Sequence, residues 1–354
     1  MNKNKFRFFG ALVAASTALA LSGCAPQSDE VVEAKPSIVA TTNVWADITS
    51  QIAGDFFEVI ALISDPAIDP HSYEATARDQ LAIEEADLFV MNGGGYDEFA
   101  EVLAGTAGTE VFNVYEIHEA AEGAESGKAH SEGEAHTEGE AHAGEEAHAE
   151  GEVHTEGEAH AEGEVHSEGE AHSDEDAHEA HGDHDGSDHT WYDLHLVEYI
   201  SGMIAIKLGE LQPENAASFT ANAEAFGAEI ELLEVKRDAL ANSEIHYFEA
   251  HPLAALLFKD LGFENLTPEG FAETEEAGLE PSVRVLADSR DLIPSGKIQF
   301  IAVNEQATSP TLDGLKQLAA ESGVPVLAFD ELLPAGSNYQ QWMSGILDSI
   351  ATVK

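Results

Sequence analysis

Histidines and carboxylates recur just past apolar, strand-like runs in this chain, and the carboxyl ends of strands are where open parallel sheets bind ligands. His71 stands within Asp69-Pro70-His71-Ser72-Tyr73-Glu74, after the run Phe57–Ile63. His251 follows Ile245–Glu249, Glu305 follows Gln299–Val303, and Asp330 and Glu331 follow Val324–Phe329. His189 sits just before Trp191. Three imidazoles and one carboxylate suffice to hold one divalent ion, and an imidazole-rich set suits Zn2+ better than Mn2+ or Mg2+. Glu305 fits either a ligand or a partner that orients a ligating His. Each residue alone has a plainer reading: a His after a strand is often a loop residue, and an Asp before Leu-Leu-Pro caps or solvates a turn. His118, His195 and His246 lack the strand-end context and read as structural or surface residues. A zinc hydrolase would need three protein ligands plus water. No His-Glu-x-x-His helix is present, and a fourth protein ligand would close such a site.

The elements that must position these residues alternate. Strand-like Ile38–Thr42, Phe57–Ile63, Asp87–Met91 and Thr109–Tyr115 are interleaved with helix-like Val44–Ala53 and Ala77–Ala86, which predicts parallel βαβ units. A helix-like stretch runs from Trp191 through Leu211. A second, opened by Pro213-Glu214, carries Phe219, Ala223, Phe226, Ile230, Leu233 and Leu240 at three-and-four spacing, interrupted by Arg237. A second alternating set follows: strand Ile245–Glu249, helix Pro252–Leu261, strand Gln299–Val303, helix Leu312–Ser322, strand Val324–Phe329 and a last helix from Tyr339. The expected fold is α/β, with two lobes, each a mainly parallel sheet with flanking helices, on either side of one long helix. The lobes are assigned to 37–212 and 243–354, and the helix to 213–242.

The compartment is read from the first residues. Lys3, Lys5 and Arg7 precede the apolar run Phe8–Leu21, which is short for a membrane span and ends in Leu21-Ser22-Gly23-Cys24. Residues 1–23 read as an export signal, and 24–36 as a tether. The pattern resembles that of bacterial lipoproteins, which implies lipidation of Cys24 and attachment to the outer face of the cytoplasmic membrane. Cys24 is the only cysteine, so an internal disulfide and a thiolate metal cluster are both excluded. With 15 Lys+Arg against 68 Asp+Glu, a net charge of −53, no basic stripe is left to neutralise phosphates, and nucleic acid is not an expected partner.

Composition changes from Glu119 to Asp188. His130, His136, His142, His148, His154, His160, His166, His172 and His178 recur every six residues among Glu, Gly and Ala, without an aromatic residue. Each coil of a β-helix needs buried branched apolar residues, whereas these hexads offer Ala or Val beside Glu and Gly, so the segment reads as disordered. Such a tract is expected to bind Zn2+ weakly at several places and raise its local concentration, the alternative being a solvated acidic tract.

Asp69-Pro70-His71-Ser72-Tyr73-Glu74 with Arg78-Asp79 and Ala86-Asp87-Leu88, the segment Asp188-His189-Thr190-Trp191-Tyr192-Asp193, and Asn304-Glu305-Gln306 together resemble the zinc and manganese receptors of ABC transporters. The resemblance spans nearly the whole ordered chain. It implies a rigid linking helix, a metal held in the cleft between the lobes, no catalysis, and delivery to an ABC permease by a monomeric, lipid-anchored receptor. By residue, it implies His71 and His189 as ligands from the first lobe, His251 in the third position, and a fourth carboxylate after the last strand, either Asp330 or Glu331. His in the third position is similar to the zinc-type members, which often carry a His- and acid-rich loop where Glu119–Asp188 lies. The third segment departs from the family, reading Glu249-Ala250-His251-Pro252 without the usual His-Asp-aromatic sequence. A surface metal buffer or adhesin is the competing binding function.

Overall fold

A computed structural model describes residues 35–121 and 188–353. Cys24, residues 1–23, read above as an export signal, and the hexads from His130 to His178 lie outside the described residues.

In the first lobe, β1 (Ser37–Thr42), β2 (Glu58–Ile63), β3 (Leu88–Met91) and β4 (Val111–Asn113) form a parallel sheet in the order β2-β1-β3-β4. The central strands are buried almost throughout, which is why they read as continuous apolar runs, whereas β2 at the edge is partly exposed. Helix α1 (Asn43–Ala53) buries Val44, Trp45, Ile48 and Ile52 as one face. Helix α2 (Ala77–Glu84) starts on a reciprocal Thr76–Asp79 capping box, and α3 (Glu98–Ala107) follows β3. The fourth strand is shorter than Thr109–Tyr115. Asn113 Oδ1 accepts the Glu116 N–H at 3.2 Å, and residues 114–121 turn helical (α4).

The second lobe repeats the plan. Its strands β5 (His246–Glu249), β6 (Glu264–Asn265), β7 (Phe300–Asn304) and β8 (Val326–Phe329) pair in parallel in the order β6-β5-β7-β8. Helix α7 spans Ala255–Asp260, α10 Pro310–Ser322 and α11 Tyr339–Ala351. Two further short helices, α8 (Phe271–Glu276) and α9 (Val283–Leu292), lie between β6 and β7. In both sheets the strand order reverses beside the first strand, so each lobe has a switch point where ligands can sit beyond the strand ends.

Between the lobes in sequence come α5 (Leu194–Leu211) and α6 (Ala216–Asp238), the latter about 35 Å long at 1.5 Å per residue. The residues 213–242 are not one helix: Pro213–Asn215 form a 3-10 turn, and past Asp238 the tightened bonds Leu240 N–H to Arg237 O and Ala241 N–H to Asp238 O end it. Helix α6 touches both lobes. Phe219 packs edge-on to Phe56 at 5.5 Å, Asn222 Nδ2 donates to Ile52 O, and Phe226 meets Tyr339 of α11. Lys236 Nζ donates to Ser344 O at 2.8 Å and pairs with Asp348.

Direct contacts also fasten the lobes. Asn43 and the backbone of Leu333 exchange two hydrogen bonds of 2.9 Å, Gln51 and Gln340 bond reciprocally through their amides, and the Tyr339 N–H donates to Asp47 Oδ2. One apolar cluster runs from Ile38 and Trp45 through Ile200, Phe219 and Phe226 to Phe258, Phe300 and Met343. The lobes therefore share a core, which ties the strand ends of one sheet to those of the other. Among the described residues, no helix is long and apolar enough to cross a membrane.

Candidate metal centre

The site is assembled from strand ends and one segment held across them. Asp69 Oδ1 accepts the His71 N–H at 3.0 Å and fixes the turn Pro70–Ser72 that carries His71 beyond β2. His251 leaves the end of β5, just before the turn Pro252–Ala254. Glu331 lies two residues past β8. His189 is placed by its neighbours, because Asn92, at the end of β3, donates from Nδ2 to Asp188 O at 2.6 Å and accepts at Oδ1 from Thr190 and from the Trp45 indole.

These four side chains converge. The imidazole centroids are 5.5 Å apart for His71–His189, 5.7 Å for His71–His251 and 5.6 Å for His189–His251, a nearly equilateral triangle. Each Nε2 faces Glu331, at 3.5 Å from His71, 3.5 Å from His189 and 3.2 Å from His251. Those contacts are not aligned as hydrogen bonds, so all three Nε2 atoms and Glu331 Oε2 are buried without a hydrogen-bond partner. Four orphaned polar atoms at one point would be costly as a structural core. With arms of about 2.0–2.2 Å, a tetrahedral Zn2+ sets its ligand atoms about 3.3–3.6 Å apart, close to the Nε2–carboxylate distances of 3.2–3.5 Å. The donor set and its geometry can hold one divalent ion.

Of the two carboxylates left open after β8, the structure brings Glu331 to the imidazoles. Asp330 points elsewhere: its carbonyl accepts from Tyr192 Oη at 3.0 Å, and its carboxyl interacts with Trp342. Successive residues of an extended chain face opposite ways, so only one of an adjacent pair can enter the site. Glu305 also stays out. It is exposed, and its neighbour Asn304 makes the orienting contact instead, with Nδ2 donating to Glu331 Oε1 at 2.8 Å. His195 is exposed and His246 pairs with Glu264, away from the four.

Charge within the cluster is strongly coupled. Burial lowers the pKa of His189, but Asp188 and Glu331 overcome it and hold the imidazole well above its ordinary value. At His71 burial is likewise outweighed by Glu331, and the pKa is raised. Burial pushes the Glu331 carboxyl up, yet His189, joined by His251 and His71, holds it well below the usual range. Asp188 lies 3.1 Å from His189 Nδ1, and against the effect of burial His189 holds its carboxyl at about 2.

Two residues that sequence reasoning passed over complete the wall. Tyr96, 1% exposed, packs edge-on to His71 at 5.0 Å, His189 at 5.5 Å and Trp191 at 4.7 Å. It is delivered by Gly93, Gly94 and Gly95, all at positive φ, and Asp97 closes the turn by accepting the N–H groups of Asn92 and Gly93. Asn92 is the other. The signal available was a polar residue and a glycine run directly after a strand. Gly94→Ala is expected to destabilise the fold by about 2–3 kcal/mol, because φ is +67° and a Cβ there would lie 2.5 Å from the Tyr115 ring. Thermal melting checks this against Gly105→Ala in α3, where nothing lies within 4 Å and the exchange is expected to be neutral or mildly stabilising.

A family model described as zinc-uptake complex component A, periplasmic, matches residues 38–353. The manganese ABC transporter substrate-binding lipoprotein PsaA of Streptococcus pneumoniae is 34% identical over 105 residues, 28% of this chain and 34% of that protein. The curated relatives that the chain matches are covered over only 23% to 34% of their own length. Among solved structures, the periplasmic zinc-binding protein TroA from Treponema pallidum superposes with a TM-score of 0.61 at 19% identity, covering 90% of this chain and 99% of that one. The laminin-binding protein of Streptococcus agalactiae, described as bifunctional with adhesin and metal transporting activity, gives 0.59 at 19% identity, covering 90% and 98%. At that identity the structural matches establish the two-lobed fold. With the family match covering nearly all the described residues, the chain belongs to the family of the periplasmic component A of zinc-uptake complexes, ZnuA.

Proposed function

We propose that this protein captures one Zn2+ outside the cytoplasm on His71, His189, His251 and Glu331 and delivers it to an ABC permease for uptake. The observation that carries the reading is the convergence of three unpartnered Nε2 atoms on one buried carboxylate. Three nitrogen donors favour zinc over manganese, for which oxygen donors are better suited. The relatives and the family are substrate-binding components rather than enzymes, and the fourth protein ligand leaves no position for a catalytic water. In this reading residues 1–23 are the export signal, Cys24 carries the lipid, 24–36 are the tether, 37–212 and 243–354 are the lobes, and the chain works as a monomer. The hexads from His130 to His178 supply weak auxiliary binding. The shared core and the α6 contacts oppose a large hinge motion, so metal capture orders the cleft more than it swings the lobes.

The test is metal analysis and chelator-competition titration of the full mature chain with Zn2+ and Mn2+ at neutral pH. One tight Zn2+ per chain, held well above Mn2+ and above any weaker sites, is the expected result. Mn2+ bound as tightly as Zn2+ overturns the zinc assignment. No tight ion at all overturns the receptor and leaves a surface buffer or adhesin.

A further inference from the structure

The four-residue centre is sealed on most sides, with His189, His251 and Glu331 buried. His71 alone retains some exposure, 18% of its side chain, and it lines a cleft of about 1020 Å3 between Asp69–Tyr73 and Gly94–Phe99 of the first lobe and Glu269–Gly278 of the second. An ion reaching the centre from this cleft passes His71. Asp188 and Glu276 stand on the cleft from opposite lobes, and a carboxylate oxygen of each and a ring nitrogen of His189 all lie within 4.8 Å of one another. Asp188 is only 6% exposed, and its Oδ1 is buried without a hydrogen-bond partner; so is Oε1 of Glu276. Asp188 Oδ1 has the His189 ring, 3.1 Å away, as its counter-charge, and two carboxylates this close repel and are poorly hydrated, which a cation between them relieves.

We propose that Asp188 and Glu276 form a second, outer site at the mouth of the centre. It holds a still partly hydrated divalent cation and passes it inward past His71. Oxygen donors from two carboxylates and water hold such an ion loosely, and the imidazole set inside, richer in nitrogen, takes it from them. This inference rests on the proposed capture of metal at the inner four residues. Helix α8, which ends at Glu276, thereby acquires a role in loading rather than in final binding.

A way-station speeds passage in both directions and leaves the inner affinity unchanged, which separates it from a ligand. Stopped-flow tryptophan emission on the full mature chain reads loading with Zn2+, since Trp191 packs 5.4 Å from His189, and release is read on mixing the loaded protein with excess chelator. Glu276→Gln is expected to slow association and dissociation alike, each by about tenfold at low salt, with the equilibrium constant held within about threefold. Glu273→Gln removes a charge from the exposed part of the same cleft wall and is expected to leave both rates within about twofold. Parental rates in Glu276→Gln overturn the proposal. Faster release makes Glu276 an inner ligand and also overturns it, and equal slowing in Glu273→Gln overturns it in favour of a diffuse field. Thermal melting excludes a folding defect in either variant. A parent protein without a tight Zn2+ removes the receptor reading itself, which is a different result from a parent that binds tightly and a variant that loads normally.

Discussion

Glu331→Gln is expected to weaken Zn2+ binding by about 10²–10³-fold, while Asp330→Asn leaves it within about threefold. Glu331 is fully buried, its Oε2 has no hydrogen-bond partner, and three Nε2 atoms lie within 3.5 Å of the carboxylate. Gln keeps the shape and an oxygen that can still accept from Asn304, so the exchange removes the charge and little packing. Structural zinc sites bind with about 10–16 kcal/mol, so the share of one ligand in four is about 3–4 kcal/mol, which is the stated loss. Asp330 has its carbonyl on Tyr192 and its carboxyl beside Trp342, where neither touches the imidazoles. Chelator competition at pH 7.5 reads the affinities. The gain in Tm on adding Zn2+ should vanish in Glu331→Gln and persist in Asp330→Asn, which separates lost binding from lost stability. The reverse pattern would move the fourth ligand to Asp330.

That pair also marks where sequence reasoning runs out. The apolar run ending at Phe329 locates the strand end, and a carboxylate must follow it, but the direction of a side chain changes with every residue of an extended chain. A slip of one position exchanges Asp330 for Glu331, and only the packed structure shows which of the two faces the imidazoles. The same limit explains Glu305: its strand end was legible, while the contact belongs to Asn304, one residue earlier. His71 and His251 were legible because each follows a strand-like run, although neither β2 nor β5 is apolar throughout. His189 stood next to an aromatic pair at a sharp change in composition, although its tether to Asn92 crosses from the end of β3 and leaves no local mark. The elements that escaped include the ten-residue helices α3 and α9 and two shorter pieces. Strand β6 has two residues, and α8 has six, rich in Glu and held by the burial of Phe271 and Ala272 rather than by a periodic stripe. Such pieces are ordered by tertiary contacts, which no window of sequence contains. Helix α6 was legible as a stripe from Phe219 to Leu233, but its ends were set by hydrogen bonds that the stripe does not encode.

Zn2+ binding is expected to expel protons at neutral pH and to strengthen with rising pH beyond the ordinary imidazole range. His71 and His189 are both raised, His189 well above 6.5, because Glu331 and Asp188 outweigh the cost of burying an imidazolium. Metal requires the neutral ring, so each such proton must leave, and the apparent affinity falls by up to about tenfold per pH unit for each proton displaced. The metal-free fold responds in the opposite sense. A raised His contributes stability that is fully present below its unfolded value of 6.5 and is lost as pH rises through its folded pKa. The lowered carboxyls contribute stability that is present above 3.8 for Asp188 and 4.5 for Glu331, and it is lost as pH falls through their folded values, about 2 for Asp188. The metal-free cluster therefore stabilises the protein most between pH 4.5 and 6.5, where imidazolium and carboxylate neutralise each other. Above that window the ion replaces the protons as the counter-charge to Glu331, so the rise in Tm on adding Zn2+ should grow from pH 6 to pH 8. Titration calorimetry at pH 7 in buffers of different ionisation enthalpy measures the protons directly, with about one to two released per Zn2+ expected. No proton release at pH 7, together with an affinity that is flat from pH 6 to 8, would mean that the imidazoles are already neutral in the metal-free protein and that Glu331 is not held against imidazolium charge.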